Sequence, residues 1–158
     1  PTSEMVDRIK ACVDANSDIF LIARTDALAN EGLDASLERA HAYVEAGAMG
    51  VFAEAVATPE QYKVFADALS VPILANMTEF GRTPLLPLDT LADAGVGMVL
   101  YPLSGFRAMN QAAFNVYQTV RQQGTQVSCV DSMQTRETLY EFLNYHHYEA
   151  QQNKSNRV

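Results

Sequence analysis

Apolar positions along the chain follow two different periods. Four short runs are apolar at nearly every position: Ile19–Ala23, Ala48–Ala53, Val71–Ala75 and Val96–Tyr101. Their length and composition predict buried strands. Between them the apolar residues recur at helical spacing. Met5, Ile9, Cys12 and Val13 predict a helix over 2–13, with Cys12 as a small core residue. The segment through Glu31 and Gly32 is predicted as a loop. Leu33, Leu37, Ala40 and Val44 predict a helix over 33–46, with Gly47 where a C-terminal cap glycine belongs. Thr58-Pro59-Glu60-Gln61 opens the next: a threonine N-cap, proline at the first helical position and glutamine three residues after the cap. Pro84 and Pro87 lead to a short helix near 88–94, stopped by Gly95. Phe106, Met109, Ala113, Val116, Tyr117 and Val120 stripe a long helix that Pro102-Leu103-Ser104 caps and Gly124 ends. Asp131-Ser132-Met133-Gln134 reads as a capping box for a last, aromatic helix through about Tyr148, with a frayed polar tail after it.

Strand then helix, four times at roughly 25 residues per unit, is the signature of βα units. The strands are continuously apolar, so both faces are expected to be buried, as in a parallel sheet. Four units make either a small open sheet or half of an eight-stranded barrel, which runs to about 250 residues. All four strands deliver polar or distinctive residues at their C-terminal ends: Arg24-Thr25-Asp26, Glu54, Asn76-Met77-Thr78-Glu79 and Pro102-Leu103-Ser104. A barrel mouth does this, whereas an open sheet gathers such residues at one switch point. The half barrel is therefore the expected α/β fold, over residues 1–130, with a C-terminal helix and tail at 131–158 packed on a partner surface. The chain begins at Pro1 within a helical pattern, which suggests a piece of a longer protein.

The chain has 158 residues, with 11 Lys and Arg against 19 Asp and Glu, a formal charge of -8. Such a balance argues against nucleic acid and anionic membrane surfaces as partners. A bound anion must then be held by a few placed arginines. No apolar run is long enough to span a bilayer. Cys12 and Cys129 have no Cys-x-x-Cys spacing, so they offer no disulfide framework or metal site and fit a reducing cytoplasm. No glycine-rich nucleotide-binding or phosphate-loop motif is present.

Arg24 directly follows a buried strand. It is either one half of an ion pair, with Asp26 or a neighbouring loop, or a bidentate clamp for a carboxylate. Glu54 either caps the following turn, or orients a metal-bound water or accepts a substrate hydroxyl. Asn76 and Thr78 are two apart on one strand end and share a side. They either satisfy loop backbone or meet a ligand, while Glu79 points away. Arg107 and Arg136 lie in the first turns of their helices, where a cation opposes the helix dipole. Three arginines at one mouth would suit a di- or tricarboxylate. His41, His146 and His147 read as structural.

Several segments resemble a known family. Ile22-Ala-Arg-Thr-Asp-Ala27, Phe52-Ala-Glu-Ala55, Pro72-Ile-Leu-Ala-Asn-Met-Thr-Glu-Phe-Gly81, Tyr101-Pro-Leu-Ser-Gly-Phe-Arg-Ala-Met-Asn110 and Met133-Gln-Thr-Arg136 are similar to the 2-methylisocitrate lyases. These belong to the isocitrate lyase and phosphoenolpyruvate mutase superfamily. The resemblance covers essentially the whole chain and matches the C-terminal half of a (β/α)8 TIM-type barrel plus C-terminal helices. It implies magnesium-dependent retro-aldol cleavage of 2-methylisocitrate to pyruvate and succinate, in the methylcitrate cycle of propionate catabolism. It implies substrate-binding roles for Arg24, Glu54, Asn76, Met77, Thr78, Arg107 and Arg136. It further implies a cytoplasmic homotetramer with helix exchange. The family's Ser-Gly-Gly loop, magnesium-binding aspartates and Lys-x-Cys-Gly-His loop have no counterpart here, and neither Cys12 nor Cys129 matches the catalytic cysteine. Ala53 stands where the family usually has proline. No catalytic residue and no direct metal ligand is therefore expected in this chain, with Glu54 in reach of a metal's water shell. As a free polypeptide the chain is expected neither to bind magnesium properly nor to turn over substrate. The alternatives are an isocitrate lyase or phosphonopyruvate-type enzyme, or a catalytically dead fragment that binds carboxylates.

Overall fold

The structure is a computed structural model that describes residues 1–15 and 18–155. It divides into two compact units, Pro1–Phe106 and Arg107–Val158.

The first unit holds four parallel strands, β1 (Ile22–Thr25), β2 (Gly50–Ala53), β3 (Ile73–Asn76) and β4 (Met98–Leu100), in the order β1-β2-β3-β4. Ile22 faces Gly50, Val51 faces Ile73 and Leu74 faces Met98 across the ladders. The order never reverses. Right-handed crossovers then put every helix on the same side of the sheet, as in a barrel wall. Helices α1 (Thr2–Asp14), α2 (Leu28–Glu31), α3 (Leu33–Glu45), α4 (Pro59–Ala68) and α5 (Leu88–Asp93) supply the cover. The core lies between the helices and the face presenting Val51, Ala53, Ile73 and Ala75. Ala40, Tyr62, Phe65 and Leu91 fill it from α3, α4 and α5.

The opposite sheet face differs from the expectation of burial on both sides. Burial alternates along β1, β2 and β3, so Arg24 is exposed and Phe52, Leu74 and Asn76 only half-buried, while β4 buries no residue fully and leaves Leu100 exposed. The physical reason is the topology: one-sided crossovers leave the second face to be covered by something other than these helices. Strand limits shift as well. Ile19 is 70% exposed and outside β1, because the ladder starts only where β2 offers Gly50 opposite Ile22. The expected loop before Gly32 contains the single turn α2, tied down by an Arg39–Glu31 ion pair at 2.7 Å. Cys12 is exposed, not a core residue. Helix α1 packs chiefly on α3 and buries only Ile9 fully, so its last turn remains at the surface. The α4 start is as the sequence indicates. Thr58 accepts from the Gln61 N–H at 3.4 Å, and the Gln61 side chain reaches back to the Ala57 N–H at 2.8 Å.

Helix α6 (Ser104–Gln123) crosses the unit boundary and buries none of its residues. Gly124, at φ 72°, ends it. In the second unit a 3-10 helix follows at Val127–Ser132, then α7 (Arg136–Phe142) and α8 (Tyr145–Ser155). Asp131 belongs to the 3-10 helix and caps nothing. The N-cap of α7 is Thr135, whose hydroxyl accepts from the Thr138 N–H at 3.2 Å. The single last helix is broken at Asn144, φ 49°, a left-handed conformation that asparagine tolerates better than most residues. Tyr140 and Tyr145 stack across the break with centroids 4.2 Å apart. The polar tail is helical through Ser155; its last three expected residues lie outside the described ones.

Candidate functional site

The C-terminal ends of β1 and β2 build the best-defined part of the site. Strand alternation buries Ala23 and Thr25 and turns Arg24 onto the open face, opposite Phe52 in register. The Arg24 guanidinium lies 4.8 Å from the Phe52 ring centroid, a cation–π geometry. Its Nε and Nη2 donate to the two Asp26 carboxylate oxygens at 3.1 and 2.8 Å. Nη2 is also 3.3 Å from Glu54 Oε2. Asp26 therefore satisfies the ion-pair reading of Arg24, yet the arginine side chain keeps 51% of its surface exposed and accessible to a ligand. The hydrogen bond to Asp26 raises the Arg24 pKa; burial opposes it, and the charges of Glu54 and Asp26 add to the rise. The same bond to Arg24 holds the Asp26 carboxyl below its ordinary range.

Glu54 follows β2, with its N–H bonded to the Thr25 carbonyl at 3.0 Å. Its Oε2 is buried and has no hydrogen bond, only the ion-pair approach of Arg24. The next residue, Ala55, has φ 61°. A non-glycine residue there costs about 1–2 kcal/mol, and the turn it makes with Glu54 follows directly on the end of β2 at Ala53.

One strand over, β3 ends at Asn76, whose Oδ1 is buried without a hydrogen bond. Thr78 shares its side of the chain and its half-buried state. Met77 lies on the other side and is 2% exposed. Its N–H bonds to the Leu100 carbonyl at 2.8 Å and its sulfur accepts from the Leu86 N–H at 3.4 Å, so its side chain anchors the segment from behind. Tyr62, from α4, approaches the same strand end. Burial first, and then the Glu54 charge, push its phenol up to about 12, against hydrogen bonding from the Thr83 side chain and the Asn76 backbone. Glu79, read from sequence as facing away from a ligand, accepts a hydrogen bond from the Ser104 hydroxyl.

Arg107 and Arg136 both belong to the second unit. Arg107 is exposed in the first turn of α6. Arg136 is the first residue of α7 and lines a hollow of about 420 Å³ with Glu137, Tyr140, Glu141 and His146. The structure thus brings Arg24 and Glu54 into direct contact and sets Asn76 and Thr78 at the adjoining strand end. Sequence reasoning passed over Phe52 and Tyr62. Phe52 was within reach, since it is two residues before Glu54 and so shares its face. Tyr62 carried only a core signal. Among the described residues no group of three or more His, Cys, Asp or Glu is placed to hold a metal ion. The residues present therefore do not form a magnesium site of their own. No helix among them is long and apolar enough to cross a membrane.

Known proteins share the sequence and the fold. A 2-methylisocitrate lyase of Escherichia coli (strain K12) is 62% identical over 148 residues, covering 92% of this chain and 50% of the relative. The chain spans about half the length of the curated relatives it matches. Among solved structures, an oxaloacetate acetylhydrolase in complex with the inhibitor 3,3-difluorooxalacetate superposes with a TM-score of 0.86 at 27% identity. That match covers 99% of this chain and 54% of the other. A phosphonopyruvate hydrolase complexed with oxalate and Mg2+ superposes with a TM-score of 0.79 at 26% identity, covering 95% of this chain and 54% of the other. The fold is accordingly about half of a TIM-type barrel enzyme. Residues 1–121 match the family described as phosphoenolpyruvate phosphomutase, and the chain belongs to that family.

Proposed function

We propose that this chain is the substrate-binding half of a carbon–carbon lyase that cleaves 2-methylisocitrate to pyruvate and succinate. The observation that carries the reading is the Arg24–Glu54 pair at the strand ends, on the sheet face that the helices leave uncovered. A half-exposed guanidinium stacked on Phe52 has donors to offer a carboxylate if Asp26 yields one of its two bonds. Asn76 Oδ1 and Glu54 Oε2, buried without hydrogen bonds, are suited to accept from a substrate hydroxyl. Thr78 adds a hydroxyl on the same side, and Met77 supports the segment through the core. Arg107 and Arg136, in the second unit, are carboxylate-binding candidates in their own right on this reading.

Retro-aldol cleavage removes the proton from the substrate's hydroxyl and breaks the adjoining C–C bond. The pyruvate carbonyl forms and the electron pair passes to the succinate carbon, which then takes up a proton. Arginines aimed at that departing unit stabilise the charge as it develops. The proton-transfer groups and the magnesium ligands lie outside this chain on this reading, so no step is derived through the metal. Magnesium itself is supported by the phosphonopyruvate hydrolase complex. Residues 131–158 are read as packing on a partner subunit of a cytoplasmic homotetramer. The exposure of Phe142 (79%), Leu143 (57%) and Tyr148 (63%) supports a covered surface there.

The test uses the protein made from its complete reading frame. Pyruvate release from 2-methylisocitrate should exceed glyoxylate release from isocitrate, and Arg24→Ala should abolish both. Preference for isocitrate, or for a phosphonate substrate, would transfer the assignment to another branch. Succinate binding by calorimetry with no turnover of any of these would leave the carboxylate-binding fragment.

A further inference from the structure

Two strand ends are joined by a side-chain contact that the binding roles above do not use. Asn76 and Thr78 face the open side of the sheet, and the segment between and beyond them is fixed at alternate positions. Met77 is held by the Leu100 carbonyl and the Leu86 N–H. Two residues on, Glu79 Oε1 accepts from the hydroxyl of Ser104, 25 positions later and the first residue of α6. The next residue, Phe80, has φ 63° and is 94% exposed. A left-handed phenylalanine persists only where its surroundings enforce it. Glu79, immediately before it, supplies one contact that ties this strained backbone down. A carboxylate beside the first turn of α6 is also favoured by the helix dipole.

We propose that Glu79 and Ser104 are positioning residues: their hydrogen bond latches the β3 end to the start of α6 and so fixes Asn76 and Thr78 for ligand binding. The proposal rests on the lyase reading for the identity of the ligand. With the latch open, the segment after Met77 can relax Phe80 out of its left-handed conformation. The core residues Ile73, Ala75 and Met77 keep their burial, so the fold is retained while the two polar side chains lose their fixed places.

Ser104→Ala is the cleaner probe, because alanine is a good helix former at the first helical position and the change removes only the hydroxyl. Ser104→Thr restores the hydroxyl. Both variants, in the complete reading frame, are compared with the wild type by hydrogen–deuterium exchange over 78–86, by KM and kcat for 2-methylisocitrate, and by succinate calorimetry. In Ser104→Ala, exchange over 78–86 and KM should each rise about tenfold, the scale of one charge-assisted hydrogen bond, with the melting temperature little changed. Ser104→Thr should return both to within about twofold of wild type. Unchanged exchange in Ser104→Ala would overturn the latch whatever the enzyme does. Faster exchange with unchanged KM and succinate affinity would reduce the contact to a structural one and overturn the positioning role. A wild type that does not cleave 2-methylisocitrate would sink the lyase reading alone, and exchange with succinate affinity would still decide the latch.

Discussion

Arg24→Lys separates the two roles that the geometry gives Arg24. Its pair with Asp26 is a surface one, with side-chain exposures of 51% and 59%. Pairs of that kind stabilise by about 0.2–1 kcal/mol. Lysine keeps the charge, so the stability loss should stay under about 1 kcal/mol, a shift of about 2–4 °C for a chain of this size. Binding is a different matter. Arginine presents parallel donors, and here the guanidinium is steered by the Phe52 face at 4.8 Å and by Glu54 at 3.3 Å. Lysine cannot present the same fork or stack in the same way. Losing one charge-assisted hydrogen bond to a substrate carboxylate costs about 2 kcal/mol, or about 30-fold in kcat/KM. Steady-state kinetics on 2-methylisocitrate and urea denaturation of the same preparation give the two numbers. A stability loss above about 2 kcal/mol with unaltered kcat/KM would make Arg24 a structural ion-pair residue and refute the clamp.

Asp26→Asn should alter the acid limb of stability. Because Arg24 depresses the folded pKa of Asp26, its contribution is present above the ordinary aspartate value of 3.8 and is lost as pH falls through the lower folded value. The wild-type advantage in urea, less than about 1 kcal/mol at neutral pH for so exposed a pair, should vanish near pH 2. Gly95 (φ 79°) and Gly124 (φ 72°) both follow helices in left-handed conformations, but a Cβ on Gly95 meets the Ala66 Cβ at 2.7 Å while one on Gly124 meets nothing. Gly124→Ala should cost about 1 kcal/mol and Gly95→Ala about 2–4 kcal/mol by denaturant titration, and equal losses would mean the Ala66 contact relaxes freely. Ser36, fully buried on α3, has a hydroxyl with no hydrogen bond. Ser36→Ala should stabilise by about 1 kcal/mol, read as a higher urea midpoint at unchanged slope.

The distinction between what the sequence shows and what folding decides runs along particular residues. Thr58-Pro59-Glu60-Gln61 was legible because a cap and its helix lie within four positions, and the interactions that set it are local. Gly47, Gly95 and Gly124 were legible as stops because only glycine takes a left-handed conformation without strain. At Asp131-Ser132-Met133-Gln134 the same local reasoning failed. Thr135, four residues on, offers an equally good cap, and the segment before it had already wound into a 3-10 helix. Nothing in the aromatic run from Tyr140 to Tyr148 announced a break. Asn144 makes it, and the Tyr140–Tyr145 stack holds the two sides.

By itself the sequence determined the repeat of strand and helix, the parallel sheet and the strand ends where Arg24, Glu54, Asn76 and Thr78 stand. Each of these follows from periodicity and composition over a few neighbouring residues. Only the tertiary structure decided which sheet face the helices cover, that Arg24 reaches Asp26 and Glu54 together, and that Glu79 meets Ser104. Those outcomes depend on the hand of the crossovers and on which strands become neighbours. Both are set by how distant segments pack, and no local pattern in the chain encodes them.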